Sequence, residues 1–153
     1  MPSLIEIKNC VEASPRIYSS GQPTKIQLHG LHLVRVKAVI NLGLSDAEYS
    51  IDDEAEIVKR QRVDYFHIPV NFAMPGEKEL QLFFKIMDKH SGNKVLVHCA
   101  ANKRAICFVG LWGERSLGWS HLKSDELINK VWKPNDVWSG FLTSMRKMSA
   151  CCR

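Results

Sequence analysis

The segment from residue 95 to residue 112 constrains the fold more than any other part of the chain. Three aliphatic residues lead directly into His98 and Cys99, a short loop follows, and residues 105–112 are almost wholly apolar. This pattern predicts a buried strand, a tight loop and a buried helix. Such a loop directs backbone N–H groups and the positive end of the helix dipole at one small volume, so it predicts an anion site.

Two side chains of this segment indicate what the anion site does. Cys99 stands at the first position of the loop, where a helix N-terminus and a nearby cation favour loss of the thiol proton. Arg104 offers a planar fork that suits two oxygens of a phosphate. A thiolate beside an oxyanion clamp is typical of nucleophilic attack at phosphorus. The alternative for Cys99 is a buried structural cysteine, which is the interpretation we adopt for Cys107.

His98, Cys99, four intervening residues and Arg104 resemble the signature of the cysteine-dependent protein tyrosine and dual-specificity phosphatases, which usually has five intervening residues. The shorter spacing resembles the bacterial phosphatase-like domain of beta-lactamase-hydrolase-like proteins. Residues 20–24, 39–42 and 67–70 sit where that subgroup carries similar segments. The resemblance therefore spans roughly residues 15–112.

The resemblance implies a phosphate monoester hydrolase that forms a phosphocysteine on Cys99, with Arg104 as the phosphate clamp. It also implies that His98 orients the loop and helps to hold the thiolate. The phosphate would also be bound by the rest of the loop, chiefly through backbone donors: Ala100, Ala101, Asn102 and Lys103. Relatives commonly have glycine at position 102, and asparagine is the next-best residue at positive φ. The implied partner is a phosphorylated protein or small molecule, and no metal or cofactor is expected.

Two residues depart from the pattern of the relatives. Asn71 stands where they usually carry an aspartate that protonates the leaving oxygen, and this general acid catalysis is typically worth about 10²–10⁴-fold. Ala105 replaces a serine or threonine whose hydroxyl stabilises the departing thiolate. His67 and Glu77 are the nearest replacement acids in the sequence, and neither is convincing. We therefore expect slow turnover that favours aryl phosphates, which have a good leaving group.

Two other functions stay open at this point. A catalytically impaired pseudophosphatase would keep Cys99 and Arg104 and bind phosphorylated ligands without hydrolysing them. A rhodanese-like sulfur-transfer protein would also place a reactive cysteine at the head of an anion-binding loop.

The alternation of strands and helices predicts an α/β fold, with a mostly parallel central sheet of about four to five strands and helices on both faces. The predicted strands cover residues 16–19, 38–42, 65–68 and 95–97, and the predicted helices cover residues 24–35, 52–60 and 77–89. The last third is predicted to be helical, with one helix capped at residues 124–126 and another over residues 135–148. Residues 1–153 form a single predicted domain, with its ligand site at the carboxyl ends of the strands.

Composition excludes several classes of protein. A hydrophobic content of 45%, a charged content of 24% and a net charge of +5 are ordinary for a soluble globular protein. No basic stripe with interleaved aromatic residues predicts nucleic-acid binding, and no apolar run predicts a membrane span. The five cysteines include no CxxC pair, so we expect neither a zinc ribbon nor a disulfide framework. His29 and His32 are interpreted as surface residues rather than as metal ligands.

The start of the chain lacks the features of a signal peptide, so a cytoplasmic location is expected. A periplasmic location stays open if a signal sequence has been removed. Cys151, Cys152 and Arg153 are interpreted as a frayed tail.

Overall fold

The computed structural model describes the backbone of residues 3–151 and the side chains of residues 3–149. Cys152 and Arg153, the end of the proposed tail, lie outside the described residues, as do the first two residues of the segment assessed for a signal peptide.

A five-stranded sheet forms the centre of the molecule, in the order β1-β2-β5-β3-β4. All neighbouring strands are parallel except β1 and β2, which form an antiparallel pair at one edge. The strands are β1 (Val11–Ser14), β2 (Ile17–Ser20), β3 (Ala38–Asn41), β4 (Asp64–His67) and β5 (Val95–His98). Strand β5 therefore lies in the middle of the sheet, as a continuous aliphatic strand should. The predicted α/β fold is confirmed, although β1 was not predicted.

Helices cover both faces of the sheet, because the strand side chains alternate between two apolar clusters. The helices are α1 (Lys25–His29), α2 (Glu54–Lys59), α3 (Glu77–Lys89), α4 (Lys103–Ser116), α5 (His121–Asn129) and α6 (Asp136–Cys151). Helices α1 and α2 pack on one face, against Val39 and Leu96. Helices α3, α4, α5 and α6 pack on the other face, against Ile40 and Val97. Helix α3 has the predicted bounds.

Two helix predictions need correction. Thr24 caps α1 as expected, through a reciprocal pair of hydrogen bonds with Gln27, but this helix ends at Gly30 and a 3-10 turn (Leu31–Val34) follows it. Glycine at that position weakens the helix, because glycine loses more conformational freedom on folding than any other residue. Helix α5 is capped by Ser120, whose hydroxyl accepts from Lys123 N at 3.0 Å, and not by Ser124. Ser124 is fully buried inside the helix.

Aromatic residues join the C-terminal helices to the sheet. Trp138 of α6 is fully buried against Phe108 of α4, and its indole N–H donates to the Phe72 carbonyl at 2.8 Å. Trp132 and Trp119 are partly buried and pack at the border of the same cluster. Within residues 3–151, no helix combines the length and the apolar character needed to cross a membrane.

Candidate active site

Cys99 lies directly beyond the carboxyl end of the central strand, where parallel sheets place their ligand sites. Its backbone N–H donates to the Ser20 carbonyl of β2 at 3.3 Å, and its side chain is only 1% exposed. The thiol is therefore held at the base of the loop that joins β5 to α4, so a substrate must bring its phosphorus down to the sulfur.

The loop leaves a set of backbone donors available to an anion. The first hydrogen bond of α4 runs from Ile106 N to Asn102 O. Within the described part of the chain, no acceptor is found for the amides of Ala100, Ala101, Lys103, Arg104 and Ala105, which we call the loop amides. Unpaired N–H groups at a helix start are a ready site for a phosphate.

Asn102 gives the loop its turn. Its φ of 70° is left-handed, a conformation that asparagine tolerates better than most residues. The side chain is fully buried, and its Nδ2 donates to the Asn9 carbonyl at 2.7 Å. Asn102 therefore adopts a backbone conformation that usually requires glycine. Its side chain also connects the loop to the N-terminal segment.

Two further hydrogen bonds engage the carbonyl oxygens of the loop. Gln22 N donates to the Ala100 carbonyl at 3.0 Å, and Asn9 Nδ2 donates to the Ala101 carbonyl at 3.2 Å. Gly21 packs directly on the loop, because a Cβ at this position would lie 2.7 Å from Ala100 O. These contacts use the loop carbonyls and leave the loop amides free.

Gly21→Ala is expected to destabilise the protein by about 1–3 kcal/mol, because the added methyl group meets backbone atoms that cannot turn aside. Urea unfolding followed by circular dichroism measures this change. Gly140→Ala is the matched control, since a Cβ there finds open space on helix α6. It should be neutral or stabilising by up to about 1 kcal/mol. Equal midpoints for the two variants would show that the loop is loosely packed.

Arg104 is buried, 6% exposed, and anchored on two sides. One guanidinium nitrogen, Nη1, donates to the Val70 carbonyl at 2.8 Å, and Nη2 donates to the Tyr49 hydroxyl at 3.2 Å. A guanidinium has five N–H donors, so these two bonds fix its plane and leave donors for an oxyanion. Sequence reasoning missed Tyr49, because it lies on the loop between β3 and α2, far from Arg104 in sequence.

His98 and Glu54 form a buried pair beneath the loop. His98 is fully buried and Glu54 is 2% exposed, with His98 Nε2 lying 2.5 Å from Glu54 Oε2. Gln22 Nε2 donates to the other carboxylate oxygen at 2.7 Å. Burial alone would raise the pKa of the Glu54 carboxyl, but the hydrogen bond and the charge of His98 hold it below its ordinary value. The sequence pattern predicts only a helix over residues 52–60 here, and gives no sign of the pair with His98.

Comparison with solved structures identifies the family. A DUF442 protein from Shewanella putrefaciens CN-32, described as a "putative phosphatase", is 30% identical to this chain, with a TM-score of 0.85. The alignment covers 95% of this chain and 96% of that one. The chain belongs to the DUF442 family.

More distant proteins of known structure share the fold. The core catalytic domain of the PP-IP phosphatase SIW14 from S. cerevisiae is 18% identical, with a TM-score of 0.74 over 97% of this chain and 94% of its own. The human tyrosine phosphatase-like serine/threonine/tyrosine-interacting protein is 16% identical, with a TM-score of 0.74 over 92% of this chain and 97% of its own. No family model and no curated protein matches the sequence.

Asn71, at the position where the resemblance implies an acid, has a local role of its own. It is exposed, and its Oδ1 accepts from Ala73 N at 2.9 Å, which turns the chain after β4. Its amide carries no titratable proton. His67 does not replace it, because its Nε2 lies 2.6 Å from the Gly43 carbonyl and is engaged there. Glu77 lines a groove with Arg115 and Arg146 along helices α3, α4 and α6.

The remaining residues considered in the sequence analysis make no contact that suggests catalysis or metal binding in the described part of the chain. The Ala105 methyl group is fully buried and offers no hydroxyl to a departing thiolate. Lys103 is exposed, and its Nζ lies 5.3 Å from the centre of the Trp132 ring. His32 Nδ1 lies 2.7 Å from Gln61 Oε1. Among the side chains of residues 3–149, no three histidines, cysteines or acids are grouped as a metal site would require.

Proposed function

We propose that the chain is a phosphate monoester hydrolase that works through a phosphocysteine intermediate on Cys99. The observation that carries the proposal is the position of this thiol, at the base of the loop amides and just before an anchored Arg104. The Shewanella relative, described as a "putative phosphatase" and similar over nearly the whole length, supports phosphatase activity in general.

The proposed reaction has two steps. The loop amides and the free donors of Arg104 bind the phosphate oxygens and stabilise their charge in the transition state. The Cys99 thiolate attacks phosphorus, so that a P–S bond forms as the P–O bond to the leaving group breaks. Water then attacks phosphorus, the P–S bond breaks, and inorganic phosphate leaves with the thiolate restored.

Each step lacks a side chain that the resemblance implies: an acid for the leaving oxygen in the first step and a hydroxyl for the leaving sulfur in the second. Because Asn71 has no proton to donate, the leaving oxygen departs as an anion or takes its proton from water. Because Ala105 has no hydroxyl, the sulfur leaves the intermediate without a side-chain donor of that kind. We therefore propose slow turnover, least impaired for aryl phosphates, with a phosphorylated protein or small molecule as the substrate.

A second candidate function is a pseudophosphatase that binds phosphorylated ligands without turnover. The observation that favours it is Asn71, whose carbonyl oxygen is committed to the turn and whose amide cannot act as an acid. Binding of phosphate without hydrolysis of an aryl phosphate would establish this function. A persulfide on Cys99 after treatment with thiosulfate would instead indicate sulfur transfer.

Asn71→Asp is expected to raise kcat for an alkyl phosphate by about 10²-fold or more, because the new carboxyl can protonate a poor leaving group. The gain should disappear as the pH rises and the carboxyl loses its proton. Steady-state release of phosphate from alkyl and aryl substrates between pH 4.5 and 8 measures the effect.

Asn129→Asp, which adds the same charge at an exposed position of α5, is the control and should change neither rate. A gain confined to position 71 identifies it as the missing acid position. No gain on the alkyl phosphate would show that position 71 does not face the leaving group.

A further inference from the structure

We propose that Glu54 is a positioning residue, which keeps both ring nitrogens of His98 protonated and so holds a positive charge beside Cys99. This inference deepens the proposed function and rests on it for the role of the sulfur. Glu54 lies 44 positions before His98, outside the segment that carries the phosphatase signature.

The first argument is the set of acceptors around the imidazole. His98 Nε2 faces Glu54 Oε2 at 2.5 Å, and its Nδ1 faces the Cys99 carbonyl oxygen at 3.4 Å. Despite its burial, the hydrogen bond and the charge of His98 hold the pKa of the Glu54 carboxyl below its ordinary value, so its oxygens accept and do not donate. A neutral imidazole carries only one N–H, so beside this carboxylate it would leave one of the two oxygens facing a nitrogen lone pair. Only the imidazolium donates to both.

The second argument is burial. Both side chains of the pair are almost completely removed from solvent, 0% exposed for His98 and 3% for Glu54. A buried carboxylate needs a compensating charge as well as hydrogen bonds, because isolated ions are strongly disfavoured in the interior. Gln22 contributes a neutral hydrogen bond to Glu54, so His98 is the partner that can supply the charge.

The other titratable groups around Glu54 leave this assignment unchanged. Burial, followed by the charge of Glu54, raises the pKa of Tyr65 to about 12, so its phenol is neutral at physiological pH. His67 of β4 faces the Gly43 carbonyl through its Nε2 at 2.6 Å and makes no hydrogen bond to Glu54 among the described side chains. Lys25 is paired with the neighbouring acid Asp53 at 3.1 Å. The positive member of the buried pair is thus the residue adjacent to Cys99.

The inference predicts what loss of the carboxylate does. In Glu54→Gln the imidazolium loses its counterion, so His98 should become neutral and stop favouring the thiolate. The geometry can survive this change. The oxygen of Gln22, Oε1, has no partner among the described residues and can turn to accept from the new amide.

Nitrogen NMR of the full chain labelled with ¹⁵N-histidine tests the protonation directly, with the His98 signals assigned from a His98→Asn variant. At neutral pH the unaltered chain should show two protonated ring nitrogens, whereas Glu54→Gln should show one unprotonated nitrogen. Asp53→Asn is the control, because it removes an adjacent, 45% exposed charge and should leave the signals unchanged. A neutral His98 ring in the unaltered chain would overturn the inference.

Alkylation of Cys99 by iodoacetamide, followed peptide by peptide in mass spectrometry, tests the consequence for the sulfur. The midpoint of its rate against pH should rise by about one unit in Glu54→Gln, stay in place in Asp53→Asn, and largely return in Glu54→Asp. An unchanged or lower midpoint in Glu54→Gln overturns the inference. Neither readout needs turnover, so an inactive chain with these shifts would refute the proposed hydrolysis but keep the Glu54 assignment.

Discussion

Replacement of Cys99 by serine is expected to abolish the hydrolysis of aryl phosphates, with a loss on the order of 10⁴–10⁶-fold, as for other lost nucleophiles. The serine hydroxyl stays protonated at neutral pH and is a much weaker nucleophile than a thiolate. The side chain is almost isosteric and sits at the end of the central strand, so the fold should persist. Initial rates of release of the aryl alcohol measure the effect.

Phosphate binding separates this chemical defect from a structural one. The Cys99→Ser variant should still bind inorganic phosphate or vanadate in calorimetry, because the loop amides and Arg104 are intact. Cys10→Ser is the control variant, since Cys10 is a half-buried thiol outside the loop, and it should keep the full rate. Hydrolysis that survives in Cys99→Ser would place the nucleophile on another residue.

Arg104→Lys is expected to lower kcat/KM for an aryl phosphate by about 10²–10³-fold, the usual effect of losing an oxyanion donor. An ammonium group keeps the charge but cannot reach the Val70 carbonyl, the Tyr49 hydroxyl and two phosphate oxygens together. The Kd for inorganic phosphate should rise with the same variant, because the clamp acts on the ground state as well.

The matched control for this substitution lies on the same helix. Arg115 is 44% exposed near the other end of α4 and pairs with Asp88 at 3.1 Å. Arg115→Lys should therefore leave both kcat/KM and the phosphate Kd unchanged. Equal behaviour of the two variants would show that the Arg104 guanidinium does not contact the phosphate.

The fold was predictable where the apolar pattern is long and periodic. Helix α3 has the predicted position because its apolar residues follow a clear helical period. Strand β5 has it because its apolar run is continuous and ends at a tight loop. Strand β1 was missed, because four residues with one exposed glutamate give too short a pattern to distinguish from a loop. The start of α5 was misplaced because Ser120 and Ser124 offer the same capping chemistry, and only packing against Gly110 shows that Ser124 is buried.

Only the site residues that are close to one another in sequence could be predicted. His98, Cys99 and Arg104 are neighbours in sequence, so their spacing carries the signal without knowledge of the fold. Glu54 and Tyr49 join them through the order of strands in the sheet, which no local pattern encodes. Their contributions are contacts across a long separation, and these become visible only once the sheet is assembled.

The bond between Arg104 and the Val70 carbonyl has a mechanical consequence for the segment that follows β4. The hydrogen bond fixes the carbonyl of residue 70 beside the guanidinium, so the position of residue 71, the next in the chain, is constrained as well. Insertions beyond residue 71 can then lengthen this segment without disturbing the clamp. An insertion before residue 70 would displace the Val70 carbonyl from Arg104. Changes in length among relatives should therefore accumulate after residue 71.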